Sequence, residues 1–345
     1  METIYLILVI VLFVLAISDL VVGVSNDAVN FLNSAIGSKV APLRVIMIIA
    51  ALGILVGATF SSGMMEVARK GIFHPQNFYF SEIMIIFLAV MITDVILLDT
   101  FNTFGMPTST TVSIVFELLG AAVAVSMIKI YTDENALQIS EYINSAKALA
   151  IISGILLSVV ISFAVGALVQ YFARLLFSFN YKKNLRYFGA IWGGIAITAI
   201  TYFILIKGAK DASFMSDEAK DYITKNSFLI IVYSMIGWSV LLQLFAWLTR
   251  LNILKFVVLV GTFALAMAFA GNDLVNFIGV PMAAYESYKA WIASGVDASQ
   301  FSMESLSAKV PTNTWLLLLA GVIMVLTLWF SEKARRVVKT SVDLS

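Results

Sequence analysis

Residues 25–31 read Ser-Asn-Asp-Ala-Val-Asn-Phe, and residues 271–277 read Gly-Asn-Asp-Leu-Val-Asn-Phe. Each stands directly after an apolar run, 3–24 in the first case and 253–270 in the second. Both carry the pattern Asn-Asp-x-Val-Asn-Phe, with the aspartates 246 residues apart at Asp27 and Asp273. An ionisable residue within a membrane span is expensive and points to a functional site. A second match follows in the same order. Glu66-Val67-Ala68-Arg69-Lys70 succeeds the apolar stretch 43–65, and Glu332-Lys333-Ala334-Arg335-Arg336 succeeds 313–331. Two ordered matches argue for an internal duplication. An odd number of spans, seven, separates the aspartates and turns the second copy upside down. Inverted repeats with sites on interrupted helices characterise many secondary transporters.

Composition agrees with that setting. The chain has 345 residues, 61% of them hydrophobic and only 12% charged, with a mean hydropathy of +0.96. Soluble domains carry about 25% charged residues, so this coat is too thin to cover a water-soluble core. Net charge is +1, which gives no electrostatic case for nucleic acid. Cysteine is absent and His74 is the only histidine, so disulfides are excluded and a zinc site of the usual N and S ligands is disfavoured. The N-terminus lacks the basic segment of a cleaved signal peptide and reads as a retained first span.

Stretches long and apolar enough to cross the bilayer lie near 3–24, 43–65, 83–100, 105–130, 147–173, 187–207, 227–249, 253–272 and 313–331. The basic loop 174–186 (Arg174, Lys182, Lys183, Arg186) and the tail with Lys333, Arg335, Arg336 and Lys339 predict cytoplasmic faces. The acidic loop 131–146 belongs outside, and the N-terminus with it, although Arg69 and Lys70 then fall against the rule. Two GxxxG pairs, Gly53 with Gly57 and Gly189 with Gly193, permit close helix approach but are weak as a dimer signal.

The polar clusters suit a hard cation. Asp27 offers a carboxylate, and Asn26 and Asn30 stand at i and i+4 on one helical face; Asp273, Asn272 and Asn276 repeat the set. A plain capped helix end is the alternative for one copy, and recurrence in an inverted copy favours coordination. Between the clusters lies Pro107-Thr108-Ser109-Thr110-Thr111. Proline ends the preceding helix, and the hydroxyls open the next one. Free N–H groups at a helix start, joined by O–H donors, suit an anion such as phosphate; a simple Ser/Thr cap would need one hydroxyl only.

Taken together, SNDAVNF, GNDLVNF and PTSTT resemble the inorganic phosphate transporter (PiT) family of cation-coupled phosphate symporters. That family carries a duplicated Gly-Ala-Asn-Asp-Val-x-Asn-Ala-like motif and a Pro-x-Ser-Thr-Thr motif in each half. The resemblance covers nearly the whole chain and implies an all-α polytopic membrane protein, an inverted-repeat transporter with broken helices and a re-entrant helical hairpin. Residues 1–130 would form the first transport repeat, with the hairpin near 101–130. Residues 131–250 would form connecting scaffold spans, and 251–345 the start of the second repeat. Ser109, Thr110, Thr111, Asn26 and Asn272 would bind phosphate; Asp27, Asn30, Asp273 and Asn276 would bind sodium. No cofactor is implied beyond sodium as coupling ion. The resemblance further implies alternating access, a homodimer and a multi-pass plasma-membrane location.

Departures from the family pattern bear on coupling. Many relatives have a glutamate where this chain has Gly53, and a histidine where it has Val112. A second Pro-x-Ser-Thr-Thr is expected near position 375, and the sequence ends at Ser345, which suggests a chain that stops before that motif. The expected activity is sodium-coupled phosphate symport. Proton coupling and another oxyanion such as sulfate are the rivals. A membrane enzyme is disfavoured, because no HExxH or GxSxG motif is present.

Overall fold

A computed structural model describes residues 2–60, 71–134, 136–177, 181–204, 216–249, 252–307 and 314–344. The Glu66–Lys70 match lies outside the described residues, as do the ends of the expected spans 43–65 and 187–207. The helices in chain order are α1 (Glu2–Gly37), α2 (Leu43–Phe60), α3 (Phe80–Phe104), α4 (Thr110–Thr132), the single turn α5 (Ile139–Tyr142), α6 (Ser145–Phe177) and α7 (Tyr181–Phe203). After them come α8 (Asp217–Lys225), α9 (Ser227–Leu248), α10 (Ile253–Ser294), α11 (Thr314–Phe330) and α12 (Glu332–Leu344). The protein is an all-α polytopic membrane protein.

Among the described residues, α1, α3, α4, α6, α9 and α10 are each long and apolar enough to cross a membrane, and the bent pair α11–α12 makes a seventh candidate. Nine stretches were expected from hydropathy. The difference lies in α2 and α7, whose described parts stop at Phe60 and Phe203, inside the expected spans 43–65 and 187–207. The broken helix also sits elsewhere than the polar motifs suggest. Both α1 and α10 run unbroken through Asn26–Asn30 and Asn272–Asn276. The break falls between Phe330 and Glu332, where the axis turns by 66°. Side chains partner the motif's polar groups laterally, so the backbone there keeps its own helical bonds.

The organising contact is between α1 and α10, and it is antiparallel. Tyr5 meets Trp291 at 5.1 Å between ring centroids, Phe13 meets Tyr285 at 6.3 Å, and Phe31 meets Phe269 at 5.3 Å. Numbers rise on one helix as they fall on the other, so Asp27 and Asp273 arrive together at the crossing. Gly23 makes that crossing possible, because a Cβ there would run into the Phe277 ring. α2 joins from the other side. A Cβ at Gly53 would lie 2.9 Å from Ala266 Cβ and would strike the Phe263 carbonyl, and one at Gly57 would strike Met267 O. The first GxxxG pair therefore seats α2 on α10 within one chain.

α3 and α4 form a helical hairpin beside the first half of α1. α3 runs parallel to α1: Tyr5 packs on Phe80 at 4.9 Å, and Asn102 Nδ2 donates to Val22 O at 2.7 Å. Gly105 ends α3 in the left-handed conformation (φ 68°), which glycine adopts without strain. Ser109 then caps α4, accepting from Val112 N at 3.3 Å. At the open end Lys129 ties the legs together, 3.0 Å from Glu82 and over the Tyr79 ring.

α11 and α12 join this core through Leu317, Met324, Leu328 and Val337, whereas α6, α7 and α9 are peripheral. α7 and α9 pack through Gly194 against Ser239, and Trp238 Nε1 donates to Thr201 Oγ1 at 3.1 Å. α6 buries little beyond Ala148 and presents Leu156, Val160, Phe163 and Leu168 outward. In a bilayer such a helix faces acyl chains at no hydrophobic cost.

Candidate functional site

The tip of the α3–α4 hairpin ends at the crossing of α1 and α10, at the midpoint of the 42-residue α10. Asn26 is fully buried and holds the tip in place. Its Nδ2 donates to Asn102 Oδ1 at 2.9 Å and to Met106 O at 3.0 Å, while its Oδ1 accepts from Thr108 N at 2.7 Å. α3 ends at Gly105 and the turn that follows contains Pro107, so Met106 O and Thr108 N find their partner in a side chain. Asn26 supplies donor and acceptor together, as a primary amide can.

The tip then places two consecutive hydroxyls between two carboxylates. Thr110 Oγ1 donates to Asp27 Oδ2 at 2.9 Å, and Asn30 Nδ2 donates to Asp27 Oδ1 at 3.1 Å. Thr111 Oγ1 donates to Asp273 Oδ1 at 3.1 Å, and Asn276 Nδ2 donates to the same oxygen at 2.9 Å. Asn276 also reaches Thr111 Oγ1 at 3.1 Å. Two half-sites result, each with an aspartate, the asparagine three residues later and one threonine. A helix start turns about 100° per residue, so neighbouring threonines point to different partners. One hydroxyl therefore serves the first repeat's aspartate and the next serves the second's.

The two halves are not equivalent at their outer asparagines. Asn26 is consumed by the hairpin turn, whereas Asn272 is exposed and reaches only its neighbour's carboxylate, Nδ2 to Asp273 Oδ1 at 3.2 Å. Ser109 is exposed as well. Because its oxygen accepts from Val112 N, its O–H stays available to a ligand. All nine expected site residues thus gather around one hairpin tip: Asn26, Asp27, Asn30, Ser109, Thr110, Thr111, Asn272, Asp273 and Asn276. Asn102 was missed by the sequence reading, since a single asparagine in an apolar helix has no repeat to mark it. Ser25 was not singled out either; its hydroxyl lies 2.7 Å from that of Ser331, at the α11–α12 break.

Chemically the site is all oxygen and nitrogen from Asp, Asn, Thr and Ser, with two carboxylates near enough to repel each other. Among the described residues no three His, Cys, Asp or Glu side chains gather to hold a metal ion. Hard oxygen donors with two negative charges suit monovalent cations, and the free Ser109 hydroxyl and helix start suit an oxyanion.

Comparison with known proteins places the chain. Residues 23–341 match the phosphate transporter family. A protein of Pyrococcus abyssi named as a phosphate permease is 25% identical over 305 residues, covering 86% of this chain and 68% of its own. A Pyrococcus furiosus protein of the same designation is also 25% identical, covering 86% and 67%. A solved structure described as the sodium-dependent phosphate transporter superposes with a TM-score of 0.67 at 19% identity, covering 97% of this chain and 78% of that one. At that identity the superposition establishes the shared fold.

Proposed function

Because the chain belongs to the phosphate transporter family, we propose that it is a sodium-coupled symporter of inorganic phosphate, with both ions bound at the hairpin tip. The observation that carries this reading is the paired half-site, Asp27–Asn30–Thr110 and Asp273–Asn276–Thr111. One sodium ion at each half offsets a carboxylate. A phosphate dianion then enters a site that would otherwise repel it, held by Ser109, the threonine hydroxyls, Asn272 and the α4 N-terminus. Asn26 contributes by fixing the tip. Each ion raises the affinity for the other, and the coupling is equal in both directions.

The mobile parts in this reading are the α1–α10 crossing and the hairpin, moving against α6, α7 and α9 as scaffold. Working as a homodimer in the plasma membrane, the carrier would have its N-terminus outside and residue 345 in the cytoplasm. Purified protein in proteoliposomes tests the function. Labelled phosphate should accumulate under an inward sodium gradient, stop when choline replaces sodium at fixed pH, and resist competition by unlabelled sulfate. Uptake unchanged in choline would replace sodium with protons as the coupling ion, and full competition by sulfate would change the substrate.

A further inference from the structure

The same three helices that meet at the hairpin tip meet again two turns away, in a layer that the proposed ion site does not use. Asp19 stands eight residues before Asp27 on α1, Asp94 eight before Asn102 on α3, and Glu117 seven after Thr110 on α4. These spacings return each helix to the same face, about 11 Å along its axis. Asp19 and Asp94 are both fully buried, at 0% exposure. Their carboxyl groups face each other within hydrogen-bonding reach, and Glu117 lies close enough to repel both. Among the described residues none of the six carboxyl oxygens has an N–H or O–H donor.

Among the described residues no Lys or Arg forms an ion pair with the trio. Lys129 is held at the open end of the hairpin by Glu82, Lys333 on α12 by Asp99, and Lys289 on α10 by Glu286. Among the described residues of α2, Arg44 is the only charged side chain, in the first turn, and α11 carries none. The remaining titratable neighbours are acidic: Asp27 acts on Asp19, and Asp273 acts on Asp27. Two buried carboxylates in contact, with no donor and no counter-ion, repel strongly. Among the described residues these side chains do not make a cluster of three acidic or histidine metal ligands. A proton resolves the repulsion, since placed on either aspartate it removes one charge and turns the contact into an O–H···O hydrogen bond.

We propose that Asp19, Asp94 and Glu117 form a proton-binding site in the α1–α3–α4 core, distinct from the hairpin-tip ion site and electrostatically linked to it. Protons there oppose cations at Asp27, so binding at one site weakens binding at the other by the same factor. At an effective dielectric constant of about 20, one charge at about 11 Å changes a cation's binding constant by about tenfold. The linkage rests on sodium binding at the hairpin tip; the proton site itself does not.

Infrared difference spectroscopy on purified protein in micelles, stepped from neutral to alkaline pH without sodium, reads the proton directly. The wild type should lose a buried carboxylic-acid C=O band, and the Asp19→Asn/Asp94→Asn double variant should lack most of it. Paired amides can hydrogen-bond to each other, so this variant preserves shape. An unchanged band in the double variant, or none in the wild type, overturns the proton site whatever the protein transports. Calorimetric sodium titrations at the two pH values then test the linkage. Sodium affinity should rise up to about tenfold on alkalinisation in the wild type and stay constant in the double variant. Equal pH dependence in both proteins, or sodium binding to neither, refutes the linkage and leaves the infrared result to stand on its own.

Discussion

Thr110 and Thr111 are adjacent in sequence and serve different halves of the molecule, which gives each substitution its own consequence. Thr110→Val removes the donor to Asp27, and Thr111→Val removes the donor to Asp273. Each should raise the sodium concentration needed for half-maximal phosphate uptake about tenfold or more, the loss of one charge-assisted hydrogen bond of about 1.5–3 kcal/mol. Ser109→Ala removes a cap worth about 1 kcal/mol and an exposed O–H. Its expected signature is a raised KM for phosphate with the sodium dependence unmoved. Identical sodium and phosphate profiles for all three variants would remove the distinction between cation and anion contacts. The hydroxyls were legible in the sequence because they cluster after Pro107, and the two aspartates because their motif recurs. Asn102, Asp19 and Asp94 were not, because none of them belongs to a motif that recurs along the chain. Only the packing of α1 against α3 shows that they meet.

At the scale of elements, helix boundaries departed from hydropathy where side chains, and not lipid, satisfy polar groups. The apolar run ends near Asn272, yet α10 continues to Ser294. Asp273 and Asn276 bond to Thr111 and to each other, so the backbone has no reason to open. Conversely, the α11–α12 break was hidden within what looked like a span followed by a charged tail. Ser331 sits there, accepting from Ala334 N at 3.2 Å and pairing with Ser25. The GxxxG pair in α2 was legible as a close approach, but its partner was not. A test follows from the two environments of glycine. Gly57→Leu drives a side chain into the α10 backbone, whereas Gly120→Leu on α4 enters open space. Overpacking costs about 1–3 kcal/mol, occasionally more. Thermal unfolding in detergent should show a clear drop in Tm for the first variant and almost none for the second. Equal values would deny the α2–α10 contact.

Over the whole molecule, the antiparallel α1–α10 crossing makes one site from two repeats. It was legible as an inverted duplication because an odd number of apolar stretches separates the motifs. The structure reaches the same relation through aromatic pairs that run in opposite numerical order. Orientation in the membrane is open to a clean chemical test, because the chain has no cysteine. In intact cells a membrane-impermeant maleimide should label Glu134→Cys, in the acidic loop. Lys183→Cys, in the basic loop, should react only after the cells are opened. The reverse pattern would invert the proposed topology while leaving the site unchanged.

In the proposed mechanism the two aspartates at the crossing carry the coupling. The most direct measurement is sodium-stimulated phosphate uptake in proteoliposomes by Asp27→Asn and Asp273→Asn, each confirmed as folded by its elution and thermal unfolding. Both variants keep the shape of the half-site and remove its charge. Uptake by each should fall to the level of protein-free vesicles. Wild-type uptake by either folded variant would contradict the account.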